Sequence, residues 1–479
     1  MSSEFSKVSL KQISSKIGDG IHGTPIYDEN GSYYFINGNN LGSGRVVITS
    51  STKKVSRDEY LKHKKDLNAS TVLLSINGTI GNVALYDDEP VILGKSACYI
   101  NVLPSVSALY IGYVLKDSHF QHYIRQQANG STIKNVSLKL IRDYEFTLPA
   151  KFVQDRIAEI LSSLDEKITV NKNIILILEK MAQALFKSWF VDFEPVKAKI
   201  AVLEAGGSQA DATLAAMTAI SGKDTDALVV FEREHPEQYT ELKATAELFP
   251  SAMQESELGE IPEGWAVVKT EELVSKIGMG PFGSNIKVST FVDEGIPVIS
   301  GQHLKESILN DGENNFVTLE HADKLKSSNV FGEDIIFTHA GSIGQVSIIP
   351  EFSEYDRYVI SQRQFFLRAD KKLTSPYYLL YFFRSRIGQH LLLSNASQVG
   401  VPSIARPSSH LKNIELVVPE FKLVKKFEEH CKVIINGVVQ RKKQTVLLKN
   451  IRDTLLPKLL SGEITLPEAE QAVSEVENV

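Results

Sequence analysis

Enzymes that transfer phosphoryl or methyl groups, cut phosphodiesters or hold a metal carry a few side chains at fixed spacing, and here each such pattern fails. Gly94-Lys95-Ser96 has the ending of a phosphate-binding loop, but the position five before Gly94 is Glu89, where that loop needs glycine. An amino-methyltransferase would hold its target amine with an Asn- or Asp-Pro-Pro-aromatic turn, and the chain has no Pro-Pro pair. The pairs Gly78/Gly81 and Gly341/Gly344 are too closely spaced for a dinucleotide fingerprint and read as tight turns between strands. His22, His63, His119, His122, His303, His321, His339 and His410 form neither an HExxH pair nor another ligand spacing. Asp165-Glu166-Lys167 has the order that ends a nuclease triad, yet it falls on a helical stretch with no Pro-Asp strand before it and reads as a solvated face. Cys98 and Cys431 suggest neither a metal site nor a disulfide framework. No catalytic residue, metal or cofactor is therefore expected on this chain.

What remains is recognition chemistry. Asn, Gln, Ser, Thr, Arg and Lys pair with base edges and phosphates, and glycine-punctuated loops offer such residues twice. The first group is Asp19, His22, Thr24, Asn37, Asn39, Ser131, Thr132, Lys134 and Asn135; the second is Phe282, Ser284, Asn285, Ser300, Gln302, Arg363, Ser397, Gln398 and Arg406. The same residue types build ordinary turns, so the sets carry the reading better than any member does.

Two long helices must position these loops. In the stretch 153–189, Ile157, Leu161, Leu164, Ile168, Asn171, Ile175, Leu178, Ala182, Leu185 and Trp189 follow a three-four spacing, the seam of a coiled coil. Adding 270 gives Phe427, Cys431, Ile434, Val438, Arg441, Thr445, Leu448, Arg452, Leu455 and Leu459, a second and mostly apolar row. Such a stripe needs a partner helix, and the other copy supplies one. The seam turns polar at Asn171 and Arg441, and antiparallel pairing would bring these midpoints together and fix the register. The other reading is two core helices of separate domains.

The loops are duplicated as well. Ser15 to Gly20 is echoed by Ser275 to Gly280, Phe35 to Leu41 by Val298 to Leu304, and Asn77 to Val83 by Ala340 to Val346, at offsets of 260, 263 and 263. Between these matches the residues diverge, as two readers of different targets would. The expected class is α+β: two β-rich domains in tandem duplication, separated by two long helices that form an antiparallel coiled coil. The expected boundaries are a first domain at 1–150, a spacer helix at 151–193, and an acidic helical linker or docking segment at 194–262. A second domain at 263–420, a second spacer helix at 421–462 and an unstructured acidic tail at 463–479 complete the chain. In the first domain one helix is expected over 107–128, and in the linker one or two short ones around 211–219 and 225–234.

Charge divides along the same lines. The net −6 conceals 16 basic and 13 acidic side chains in 1–150, 5 and 13 in 194–262, and 10 and 3 in 421–461. No segment is overwhelmingly basic, so strong DNA affinity by this chain alone is not implied. The N-terminus lacks an apolar signal core and no run is long enough to span a membrane, which predicts a cytoplasmic protein.

This arrangement resembles the specificity subunit of a type I restriction-modification enzyme. The likeness covers nearly the whole chain. Its most specific pieces are Asp19-Gly20-Ile21-His22-Gly23-Thr24-Pro25, then Leu148-Pro149 with Gln154, Ile157 and Ile160, the stretch Ala182 to Phe193, and the ending Leu455 to Gly462. The second copy departs from the first by having Gly278-Met279-Gly280-Pro281-Phe282-Gly283-Ser284 in place of the DG-H-TP loop. The resemblance implies that each variable domain reads one half of a split, asymmetric site in double-stranded DNA while the helix pair sets the unread gap. It also implies two modification subunits that bring S-adenosylmethionine and methylate adenine, and restriction subunits that use ATP and Mg. Two other classes stay open on the residues alone: a methyltransferase or nuclease with fused recognition domains, and a duplicated coiled-coil scaffold that never touches DNA.

Overall fold

The computed structural model describes residues 6–42, 44–128, 135–283, 285–397 and 400–477. The chain divides into two compact units, residues 1–172 with 443–479, and residues 173–442.

In the first unit the runs TVLLS at Thr71–Ser75 and ACYINV at Ala97–Val102 are buried along their whole length, because strands covered on both faces can be apolar without alternation. They pair antiparallel at the centre of a six-stranded sheet whose neighbouring strands include Ser14–Asp19 and Val83–Leu85. A smaller sheet sets Tyr33–Ile36 parallel to Val91–Leu93. Ser6–Ser9 pairs with Glu145–Leu148 and closes the domain just before Pro149. The helix expected over 107–128 is two helices, Ala108–Lys116 and Ser118–Gln126. Asp117 breaks it: in extended backbone conformation, it ends the first helix and its carboxylate caps the second through the N–H of His119.

The second unit repeats this plan. Ala266–Lys269 pairs with Glu415–Val418, and Val274–Met279, Gln364–Ala369, Ile335–Thr338 and Val346–Ile348 form the main sheet in that spatial order. Ile296–Ile299 runs parallel to Tyr358–Ile360. Helices Pro376–Arg384 and Arg386–Leu393 are broken at Ser385, as the first pair is at Asp117.

Each unit also holds part of both spacer helices, Lys151–Phe190 and Phe421–Ser461, of 40 and 41 residues. In the first unit Ile157, Leu161, Leu164 and Ile168 share a core with Leu448, Leu455 and Leu459. Asp165 meets Arg452 at 2.6 Å and Asn171 donates to Gln444 at 3.0 Å, so partner numbers fall as residue numbers rise. The pairing is antiparallel. In the second unit the ring of Phe186 lies 5.7 Å from that of Phe427, and Gly437 faces Leu178, with the same sense. Ile175, Leu178 and Leu185 are half-buried.

The expected row on the second helix slips by one residue at its middle. Ile435 and Val438 are buried while Ile434 is only half-covered and Arg441 is exposed. A helix turns once per 3.6 residues, so a seven-residue count leaves some positions beside the buried face, and the row is back on it at Thr445 and Leu448. Buried Asn171 finds the amide of Gln444, with Thr445 as the buried polar residue beside it in sequence.

Two further expectations change. Segment 194–262 forms four helices, Glu194–Glu204, Gln209–Ser221, Thr225–Glu234 and Pro236–Glu247, followed by a hairpin of Met253–Ser256 with Gly259–Pro262. Val196, Phe249 and Ile261 join Trp189 and Phe190 in one core, and buried Lys199 donates to the carbonyl of Phe249 at 2.5 Å. The tail is not an unstructured strand of acid. Residues Leu466–Glu477 form a helix whose Ala469 and Val473 are buried with Leu459, because Leu466, Ala469 and Val473 recur at helical spacing. Thr465 precedes it, and its N–H and Oγ1 donate to the carboxylate of Glu468 at 2.7 and 2.9 Å.

Candidate nucleic-acid interface

The loop set of the first domain gathers at one end of its sheets. Strand Ser14–Asp19 ends at Gly20, which lies so close to the backbone of Leu93 that a Cβ would sit 2.0 Å from its carbonyl oxygen. The N–H of Ile21 donates to that same oxygen at 2.8 Å. After strand Tyr33–Ile36, Ser96 Oγ donates to Asn37 Oδ1 and accepts from Gly38 N, each at 2.9 Å. Asn135 bridges Asn77, and Val136 N bonds Ile76 O at 2.9 Å. Asp19, Asn37, Asn39 and Asn135 are thus brought onto one surface, with His22 held to Asp19 at 2.9 Å and Thr24 exposed in the same loop.

The second domain builds the same end with other residues. Gly280 stands where Gly20 stood, its missing Cβ 2.0 Å from the carbonyl oxygen of Ser361. Ser361 N donates to Ile299 O, His339 N to Arg363 O and Gly341 N to Pro402 O, each at 2.9 Å. Ser397 pairs with Ser403. Phe282, Ser300, Gln302, Arg363 and Ser397 lie on these linked loops. Asn285 does not join them, since its carbonyl faces His321 Nε2 at 2.8 Å beside helix Leu319–Lys324. Arg406 is exposed at the start of helix Pro407–Lys412 with φ 45°, and among the described residues no hydrogen bond ties it to the set. Ser131, Thr132, Lys134, Ser284 and Gln398 lie outside the described residues.

Two pairs of amides that the candidate sets omit hold both ends in shape. Asn82 Nδ2 donates to Gly38 O at 3.3 Å, and Gln345 Nε2 donates to Gly301 O at 3.0 Å. The echoed stretches already placed Asn82 opposite Gln345, so this signal was available. Gln121 Nε2 donates to Gly81 O and Leu115 O at 2.8 and 2.7 Å; Gln389 Nε2 does the same to Gly344 O and Phe383 O at 3.0 and 2.7 Å. These helix-borne clamps explain the glycines. Gly81 and Gly344 have φ of 97° and 85°, and a Cβ on Gly81 would meet the Gln121 amide at 2.2 Å. Gln121→Ala is expected to free loop 76–82 at a cost of about 1 to 2 kcal/mol. Amide exchange should quicken there and not in 339–345; unchanged exchange at 76–82 would remove the clamp from the account.

The electrostatics suit neutral contacts. Burial pushes the pKa of His303 and His339 down, so both rings are uncharged at neutral pH. Burial pushes the thiols of Cys98 and Cys431 up, which leaves them inert. Among the described residues no group of three His, Cys, Asp or Glu side chains could hold a metal, and no helix is long and apolar enough to cross a membrane.

Comparison with known proteins places this architecture. The type I restriction-modification specificity subunit HindI of Haemophilus influenzae is 28% identical over 344 residues, 71% of this chain and 73% of its own. The MjaIX specificity subunit of Methanocaldococcus jannaschii is 24% identical over 408 residues, 83% and 78% of the two chains. The solved S subunit of the type I system from M. genitalium shares the fold with a TM-score of 0.50 at 18% identity, over 96% of each chain. The family described as type I restriction modification DNA specificity domain matches residues 2–180 and 262–427, both β-rich domains with the spacer sequence that follows each. The chain belongs to that family.

Proposed function

We propose that this chain is the DNA-reading subunit of a type I restriction-modification complex and carries no reaction itself. One observation supports this most directly: two units end in the same hydrogen-bonded loop scaffold but present different side chains on it, Asp19, His22 and Asn39 against Phe282, Gln302 and Arg363. A constant frame with changed tips is what reading two unlike half-sites requires. Each domain takes one half of a split site in double-stranded DNA, and the paired helices set the gap.

Two modification subunits dock on the spacer helices and bring S-adenosylmethionine, and restriction subunits bring ATP and Mg. The spacer helices leave Leu176, Ile177, Met181 and Val433 exposed, apolar surface of the kind a partner covers. The net charge of −6 means that much of the phosphate neutralisation comes from those partners, in the cytoplasm where the DNA is.

The test is to express the chain with a modification subunit from the same cell and map methylated adenines across the host DNA. One two-part motif with a fixed gap is expected. Exchanging residues 1–150 for another such domain should change one half of the motif, and a change in both halves would defeat the assignment. Methylation by this chain alone would favour the fused-enzyme reading; a stable complex without any motif would favour the scaffold.

A further inference from the structure

Hydrogen-bond accounting separates residues that hold the loops from those free to read. Of the three asparagines in the first domain's turn, Asn37 accepts from Ser96 Oγ at 2.9 Å. Asn40 is also committed: its Nδ2 donates to Val47 O and its Oδ1 accepts from Asn37 N, both at 3.0 Å. Asn39, exposed between them, bonds to nothing among the described residues. It lines a cleft with Thr49, Ser51, Thr52 and Lys53, hydroxyls and one cation suited to a flanking phosphate.

The equivalent position 263 residues on is Gln302, also exposed. Its Nε2 lies 3.2 Å from His303 Nε2 and 3.3 Å from Glu313 O, and among the described residues its Oε1 accepts nothing. The His303 ring touches this amide, but with its Nε2 protonated it cannot accept from the Gln302 Nε2. His303 Nδ1 accepts from Ser300 N, so the ring proton sits on Nε2 and is directed at the backbone of Gly312 and Glu313. Each of these exposed amides follows directly on the glycine whose carbonyl the loop-holding amide fixes, Asn82 in one domain and Gln345 in the other.

A primary carboxamide offers a donor and an acceptor side by side, which matches N7 and the N6 amino group of adenine in the major groove; guanine presents two acceptors there. We propose that Asn39 and Gln302 are adenine readers, one for each half-site. The proposal rests on the chain being a DNA-specificity subunit, and the experiment separates the two.

The full chain is tested in complex with its modification subunit on a randomised library of split sites. A wild-type complex that selects no two-part sequence overturns the functional reading and this proposal with it. Given a motif, Asn39→Ala is expected to lower the preference for adenine at one position of one half-site about ten- to a hundredfold. Gln302→Ala should do the same in the other half. Each variant keeps selectivity in the untouched half, which reports that it has folded. Asn39→Asp, of the same shape but with two acceptors, should lose the adenine preference as well. Replacing that adenine by 7-deazaadenine, which lacks N7, should weaken wild-type binding about tenfold and leave Asn39→Ala unaffected. The dependence of binding on salt should not change, because no phosphate contact is lost. Relaxation at a G·C pair, relaxation at no position, retained adenine preference in Asn39→Asp, or uniform weakening with a shallower salt slope would each overturn the proposal.

Discussion

Leu448→Asp is expected to part the helix segments 151–172 and 443–461, and Leu178→Asp is not. Leu448 is 2% exposed in the core shared with Leu164 and Ile168. Losing that burial and placing a carboxylate in the seam should cost about 4 kcal/mol. Arg452, one helical turn away, offers little relief because it is already bound to Asp165 at 2.6 Å. Leu178 is half-buried against Gly437, and an aspartate there can turn toward water at about 1 kcal/mol. Hydrogen exchange checks both. Leu448→Asp should lose roughly a thousandfold in protection over 443–461, and its complex should methylate sites whose gap departs from the wild-type length. Wild-type protection, or a single unchanged gap, would mean that the seam does not set the distance between half-sites.

How far the sequence could be read follows from where its signals are local. A three-four row of apolar residues is visible in the chain itself, and Ile157, Leu161, Leu164, Ile168, Leu448, Leu455 and Leu459 are buried as it implies. Elsewhere along the row Ile175, Leu178, Leu185 and Ile434 are half-buried and Arg441 is exposed, because a helix turning once per 3.6 residues does not keep every position of a seven-residue repeat on the buried face. The tandem duplication was legible for a similar reason: glycines pinned against backbone, such as Gly20 and Gly280, accept no other residue and keep the copies in step. Two further signals are local to the sequence. Thr465 with Glu468 has the spacing of a capping box, and Asp117 is a cap in the midst of an apolar helix. The reading surface was legible only by residue type. Whether Asn37 or Asn39 is free depends on Ser96, fifty-nine residues from Asn37, and no local pattern contains that bond. The clamps Gln121 and Gln389 were hidden likewise, since each acts on a loop some forty residues earlier.

The reading domain must also keep its angle on the helices, and in the first unit that task falls to Asp165. Its carboxylate accepts from Tyr113 Oη at 2.9 Å and Lys116 Nζ at 3.5 Å, both on helix Ala108–Lys116, and from Arg452 at 2.6 Å on the second spacer helix. One side chain therefore ties three helices. Burial pushes its pKa up, but the charges of Lys116 and Arg452 with the hydrogen bonds from Arg452 and Tyr113 outweigh it, and the net shift is downward. Burial also lowers the pKa of Lys116, so its ammonium is held at a cost that Asp165 offsets. Asp165→Ala leaves these donors facing one another and should destabilise the unit by about 3 kcal/mol. Because the folded pKa lies below that of an unfolded aspartate, the stability it supplies is complete above about pH 4 and is lost as pH falls through the folded value. Asp165→Asn keeps an acceptor for Tyr113 and Arg452 but cannot titrate. Its unfolding free energy should fall less steeply than that of the wild type below pH 4, while both variants should admit gaps of more than one length between half-sites. An Asp165→Asn protein with the wild-type acid limb would show that this carboxylate is not what holds the domain in place.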